Sequence, residues 1–182
     1  MSTTTHHITA EELFELDDGY RHELLKGELL TTSPSGAEHG AVTINLAAPL
    51  AAHVKANQLG IVFGAETGFT LERNPDTVLA PDISFVRRER IGTISKGFHQ
   101  GPPDLAVEVI SPKETRREVE DKTGHWLRLG VRAVWLVNPR TRTVEVRTAA
   151  GEKRILREQD ALNGDNIVPS FTISVAEIFS FD

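Results

Sequence analysis

The stretch Pro103–Lys122, "PDLAVEVISPKETRREVEDK", begins as a buried β-strand and then departs from its own pattern. Leu105, Ala106, Val107, Val109 and Ile110 make both faces of such a strand apolar. Glu108 stands among them. A carboxylate in that position is costly unless a partner neutralises it.

The residues that follow offer a partner. Ser111 and Glu114 have capping-box spacing, with Pro112 at the favoured first helical position, so a helix is predicted from here to about Leu129, with Gly130 ending it. At 100° per residue, Val119, Trp126, Leu127 and Leu129 define the apolar arc of that helix. Lys122 falls inside the arc, while Arg117, Asp121 and Arg128 lie opposite. An ammonium therefore points toward the sheet that the helix covers, and that sheet contains Glu108.

A second carboxylate comes from "LAPDISFV". Strand 82–87, paired antiparallel with strand 104–110 across the long loop between them, brings Asp82 opposite the region of Glu108. Two carboxylates at short range do not both stay charged without a cation between them. Oxygen ligands of this kind suit Mg²⁺ or Mn²⁺. Asp82 and Glu108, with the Val109 backbone carbonyl as third ligand, form the candidate metal site, and Lys122 would stabilise charge on a phosphoryl group beside it.

Each residue also has a structural reading. Glu108 and Lys122 can be an ion pair that serves packing alone. Asp82, after Pro81, can be a turn residue, and Asp104, after Pro103, competes for its role from the strand entrance. His39 can cap a helix, the N-terminal His6 and His7 read as solvated, and Trp126 and Trp135 read as core.

Around this centre the chain reads as one α/β domain spanning 1–182. Thr9–Glu12 is a capping box opening a short helix, and "YRHELLKGELL" gives two strands around Lys26-Gly27, so helix and hairpin occupy 9–33. The catalytic core is expected over 38–148. Within it Val42, Leu46, Leu50 and Val54 recur every four residues, which predicts a helix from about 38 to 58, kinked at Pro49 and stopped by Gly60. Strands are expected near 61–64, 66–72 and 82–87, with Asn74-Pro75-Asp76 as the turn between the last two. Residues 88–103 read as a polar loop. "AVWLVN" and "TVEVRT" are further strands, and 151–182 holds a hairpin and a short terminal helix, "VAEIF".

Composition narrows the chemistry. The 182 residues include no cysteine, which excludes a disulfide scaffold, a thiolate metal site and a thiol nucleophile. Hydrophobic residues make up 39% and charged residues 25%, an ordinary globular balance. No run approaches the ~20 apolar residues of a membrane span, and the N-terminus lacks a signal-peptide core, so a soluble cytoplasmic protein is expected. A net charge of −6 argues against general, non-specific nucleic-acid binding, although basic residues cluster locally at Arg87, Arg88 and Arg90 and at Lys113, Arg116 and Arg117. There is no G-x-S-x-G elbow, P-loop or H-E-x-x-H. A two-carboxylate glycosidase site is disfavoured by an aromatic content of only 6%.

"APDISFV", "PPDLAVEVISP" and "EVEDKTGHWLRLGVRAVWLVNPRTRTVEV" together resemble the Uma-two family of restriction endonucleases, within the PD-(D/E)XK nuclease superfamily. The resemblance extends from about Tyr20 to Phe179 and is densest over 80–146. It places the PD aspartate at Asp82 and the strand glutamate at Glu108. The superfamily lysine two residues later is absent, since that position is Ile110; in the family it is relocated to the next helix, at Lys122. "ELLKGEL" and "SPSGAEH" implicate Glu28 and His39 as supporting residues. Glu118 stands where aspartate is common, Trp126 where tyrosine is usual and Asn138 where aspartate is usual. The resemblance implies a restriction-endonuclease-like core, a central mixed sheet flanked by helices, Mg²⁺-dependent (or Mn²⁺-dependent) hydrolysis of DNA and a homodimer. The competing expectation is an inactive nuclease fold that serves as a binding or scaffold module.

Overall fold

The strand that carries Glu108 lies inside a six-stranded sheet with a helix against each face. The computed structural model of the protein describes residues 7–94 and 96–181. In chain order these form α1 (Ala10–Glu15), β1 (Arg21–Leu25), β2 (Glu28–Thr32), α2 (Ala37–Ala56), β3 (Gly60–Gly64), β4 (Phe69–Glu72), β5 (Thr77–Leu79) and β6 (Ile83–Arg87). A 3₁₀ turn (Arg88–Arg90), β7 (His99–Gln100), β8 (Leu105–Val109), α3 (Arg116–Arg128), β9 (Ala133–Asn138) and β10 (Thr143–Thr148) follow. The chain closes with β11 (Lys153–Leu156), β12 (Ala161–Asn163), β13 (Thr172–Ser174) and α4 (Val175–Ile178).

The main sheet has the order β11-β10-β9-β8-β6-β3 and is mixed: β8 and β9 run parallel, and every other neighbouring pair is antiparallel. α3 supplies the crossover that a parallel β8–β9 pair requires. Side chains of β8 alternate, as strand geometry demands. Leu105, Val107 and Val109 pack in the cluster that includes Val42, Leu46, Leu50 and Val54 of α2. Ala106 points the other way, into the cluster around Trp126 of α3. Glu108 shares the face of Ala106, so the carboxylate lies under α3.

A five-stranded sheet, β2-β1-β5-β4-β7, stands beside the first, and β12–β13 form a small hairpin. β1 and β2 turn at Lys26 and Gly27, both at positive φ, with Leu25 opposite Glu28. Leu24 and Val78 of this sheet bury Ala10 and Leu13 of α1.

Several boundaries differ from the sequence expectation. The capping box of α3 is Thr115 with Glu118, one turn later than Ser111 with Glu114. Ser111 and Glu114 instead close a local turn, in which the Ser111 N–H donates to Glu114 Oε2 at 2.6 Å. The same short-range hydrogen bonding that makes these residues good caps makes them good turn formers. α2 runs unbroken through Pro49 and ends at Asn57, with Gln58 in the left-handed conformation. Gly60 is the first residue of β3 rather than the helix stop. A Cβ there would lie 2.0 Å from the Val86 carbonyl oxygen, so glycine is required by the close approach of β6. β5, between the Asn74–Asp76 turn and Asp82, has no counterpart in the sequence expectation; it is only three residues long. β7 likewise lies inside the segment read as loop.

Asp104 is settled by its surroundings. It is fully buried at the start of β8, four residues from Glu108 and so roughly 13 Å away along the strand. Its Oδ2 accepts the Arg87 N–H at 2.9 Å, and Arg90 and Arg132 approach Oδ1 at 3.0 and 3.7 Å. The backbone carbonyl of Asp104 also accepts the N–H groups of Arg132 and Ala133. Asp104 therefore ties the loop after β6 to the entrances of β8 and β9. The Arg87–Arg90 cluster is largely occupied by these contacts and their neighbours. Arg90 also donates to the Pro102 carbonyl, and Arg88 to Gln58. We expect Asp104→Ala to lower stability by about 1–3 kcal/mol, the usual cost of leaving a backbone N–H such as that of Arg87 without its acceptor, since the partner arginines stay partly solvated. Urea denaturation at neutral pH checks this.

Candidate active site

Both oxygens of the Glu108 carboxylate are met by one face of α3. Lys122 Nζ donates to Oε2 at 2.9 Å, and Trp126 Nε1 donates to Oε1 at 2.7 Å. Lys122 and Trp126 are four residues apart, the spacing that stacks side chains on one helix face. Trp126 is fully buried and Glu108 is 9% exposed, while the ammonium end reaches a cavity.

That cavity, about 830 Å³ in volume, also receives Asp82, His39 and Glu23. Asp82 immediately precedes β6, whose antiparallel register sets Ile83 against Val107. Its neighbour across the sheet is therefore Glu108, as the sequence predicts. Asp82 Oδ2 accepts the Val109 N–H at 2.8 Å and lies 3.3 Å from His39 Nε2 on the first turn of α2. Val109 lines the same cavity.

The hairpin glutamate in this cavity is not the one expected from the sequence. Glu28 is exposed at the start of β2 and does not line the cavity. Glu23 of β1 does. Its Oε1 accepts the Ala80 N–H at 2.7 Å and lies 4.0 Å from Lys122 Nζ. The alternation of β1 is the available signal: His22 and Leu24 take one face, so Glu23 takes the other. Glu118 is also outside the site. It is exposed, and its Oε2 accepts the N–H and Oγ1 hydroxyl of Thr115, so its charge caps α3. His39 starts a helix as expected, but its ring faces Asp82. His7 is exposed and Trp135 is core, while His6 lies outside the described residues.

Electrostatics follow from this packing. Burial pushes the Glu108 carboxyl up to about 7; Lys122 opposes the shift, while Asp82 and Glu23 add to it. Burial also works against the Lys122 ammonium, but Glu108 and Glu23 outweigh it and hold the group well above the usual lysine value. Burial would raise Asp82 as well, yet the His39 ring and the Val109 N–H keep it below the ordinary carboxylate value. The bond to Asp82 raises His39 against its own burial. The short Lys122–Glu108 distance is that of a charged pair.

A divalent cation suits these donors. Asp82, Glu108 and the Val109 carbonyl are hard oxygen ligands, which match Mg²⁺ or Mn²⁺. Among the described residues no three His, Cys, Asp or Glu side chains form a ready metal cage. A magnesium-type site does not need one, because water and substrate oxygens commonly complete the shell. The excess of acid, three carboxylates against Lys122 and His39, favours a cation.

The same architecture is found in a solved structure. A crystal structure of a protein described as "a putative nuclease belonging to DUF820", from Anabaena variabilis, superposes with a TM-score of 0.80 over 94% of this chain and 97% of that chain, at 22% identity. The Uma2 family model, described as "Putative restriction endonuclease", matches residues 10–176, and the chain belongs to that family. A comparison with curated proteins returns no significant match. No helix among the described residues is long and apolar enough to cross a membrane.

The Asp82–His39 contact has a measurable signature. His39 is raised in the folded state, so the stability it contributes is complete below the free-histidine value of about 6.5 and is lost as pH rises through the folded value. Asp82 is lowered, so its share is lost as pH falls below about 3.8. His39→Gln should therefore cost more stability at pH 6 than at pH 9. In an NMR titration the His39 ring should titrate above the ordinary range, and Asp82→Asn should return it toward that range.

Proposed function

We propose that the protein is a Mg²⁺- or Mn²⁺-dependent endonuclease that hydrolyses DNA phosphodiester bonds. The observation that carries this reading is the meeting of Asp82, Glu108 and Lys122 in one open cavity, with Val109 beside them. Membership of the Uma2 family supports it.

Asp82 and Glu108 would hold the divalent ion together with the Val109 carbonyl. When bound, that ion supplies Lewis-acid polarisation of a phosphoryl oxygen and a lowered pKa for a coordinated water. The chain's own residues do the positioning. Trp126 fixes the Glu108 carboxylate through Oε1. Lys122 holds Oε2 and offers its remaining N–H donors to a phosphoryl oxygen, where they would stabilise developing negative charge. Glu23 stands behind Lys122 and keeps the ammonium in the cavity. His39 and the Val109 N–H orient Asp82 and keep it ionised. We further read the whole chain as one catalytic unit that acts in the cytoplasm as a homodimer, because two sites related by a twofold axis can address both strands of a duplex.

Lys122→Met tests the reading. Methionine keeps the apolar stem and helix propensity. Glu108, already raised by burial, takes up a proton once its cation is gone, so the fold should survive. Cleavage of DNA with Mn²⁺ should fall on the order of 10²–10³-fold, whereas Glu28→Gln should cut at the wild-type rate. Wild-type cleavage by Lys122→Met would make the lysine a structural counter-ion. Calorimetry with Mn²⁺ supplies an independent check, in which Asp82→Ala and Glu108→Ala should each weaken binding strongly. If the wild type neither binds Mn²⁺ nor cleaves DNA, the fold serves as a scaffold instead.

A further inference from the structure

The cavity has a second wall that the hydrolytic chemistry does not use. The cavity is lined by Leu13, Phe14, Leu16, Tyr20 and Phe98 as well as by the carboxylates. Phe14 packs edge-on against Phe98 with ring centroids 5.3 Å apart, yet remains 52% exposed. Tyr20 is 70% exposed, and its hydroxyl makes no hydrogen bond among the described residues. Large aromatic rings exposed at the mouth of an acidic cavity call for a ligand with flat apolar faces. Lys113 lines the same cavity, is exposed, and has no ion pair among the described residues. One space thus combines aromatic faces, a free ammonium and the proposed hydrolytic centre.

We propose that this wall binds unpaired bases, so that the preferred substrate is DNA with a single-stranded segment at the cleavage position. The proposal rests on the nuclease reading for what the cavity is for. Duplex binding draws chiefly on contacts between basic side chains and phosphates. This chain has a net charge of −6, its Arg87–Arg90 cluster is engaged by Asp104 and neighbouring groups, and its other basic cluster, the exposed Lys113, Arg116 and Arg117, holds few charges. Stacking on aromatic faces would supply affinity beyond these few charges. Bases stacked in a duplex hide their faces, whereas unpaired bases present them to aromatic side chains. Tyr20 and Phe14 supply such faces, and Lys113 can take the adjoining phosphate. At about 830 Å³ the cavity is near the upper end of small-ligand pockets, room for a nucleotide with part of its neighbour.

Fluorescence anisotropy with the full chain in Ca²⁺, which can balance the carboxylates but lacks the strict octahedral geometry of Mg²⁺, measures binding without relying on cleavage. The probes are a labelled short oligothymidylate and a duplex of equal length. The single strand should bind more tightly. Tyr20→Ala should weaken single-strand binding about ten-fold, Phe14→Ala should weaken it as well, and Tyr20→Phe should keep wild-type affinity because the ring remains. Thermal midpoints of the Tyr20 variants should match the wild type. Equal affinity for duplex and single strand, or single-strand binding indifferent to Tyr20→Ala, overturns the proposal. A shift from dimer to monomer on sedimentation of Tyr20→Ala overturns it too, since the wall would then be the contact between two copies. Wild-type cleavage with Mn²⁺ alongside either result leaves the nuclease reading intact. A wild type that neither binds nor cuts any DNA removes both.

Discussion

A single carboxylate, Glu108, sits where a strand should be apolar, and the arrangement of the site follows from satisfying it. An ionised carboxylate under a helix costs several kcal/mol in effective desolvation unless its lone pairs are met. α3 meets them with two donors four residues apart, one on each oxygen. That requirement fixes the rotation of α3 about its axis and its height over β8. A helix turned by one residue would bring Leu127 or Thr123 over the carboxylate in place of its donors. The apolar contacts of Trp126 with Ala106, Val134 and Leu136 agree with this placement, so packing and charge pairing select the same pose.

From Glu108 the constraint spreads through hydrogen bonds that cross element boundaries. The Val109 N–H fixes Asp82, Asp82 draws in the His39 ring, and the Ala80 N–H holds Glu23, which flanks Lys122. Glu23 belongs to the smaller sheet and Ala80 to the short connection into the larger one. The site therefore stands at the seam between the two sheets, and each contributes acid to it. With both Lys122 and His39 protonated, the three carboxylates remain one negative charge in excess, and with His39 neutral, two. A phosphodiester approaching alone would be repelled. On charge balance alone, hydrolysis of a phosphodiester here calls for an added cation.

The core of this arrangement is legible in the sequence because it obeys strict periodicities. Strand alternation places Glu108 opposite Val107 and Val109, and the helical wheel turns Lys122 inward; both depend only on spacing. The antiparallel approach of Asp82 follows from two strong strands joined by a loop. Other features lack such a signal. Glu23 and Glu28 lie five residues apart across a two-residue turn, and both belong to strands half open to solvent, so choosing between them requires knowing which face of the hairpin meets the larger sheet. β5 and β7 are too short to show a period. The start of α3 is ambiguous because Ser111–Glu114 and Thr115–Glu118 both have capping-box spacing, and only the first is diverted into a turn. Tertiary contacts, absent from local pattern, decide each of these cases.

The position of the lysine has its own logic. In the nuclease pattern that the sequence resembles, a lysine would follow the glutamate by two residues on the same strand face, at Ile110. Here Ile110 packs with Ala106, Val134, Leu136 and Trp126. An ammonium at that position would displace apolar surface from the contact between α3 and the sheet. Supplied from Lys122 instead, the charge comes from the helix, one turn from Trp126, and both residues donate to Glu108. The exchange leaves the strand end free to bury Ile110 and makes the location of the positive charge depend on the seating of α3. Packing of Trp126 and placement of the ammonium become one variable. In this chain, the helix that covers the sheet is therefore also the element that sets the geometry of its candidate catalytic charge.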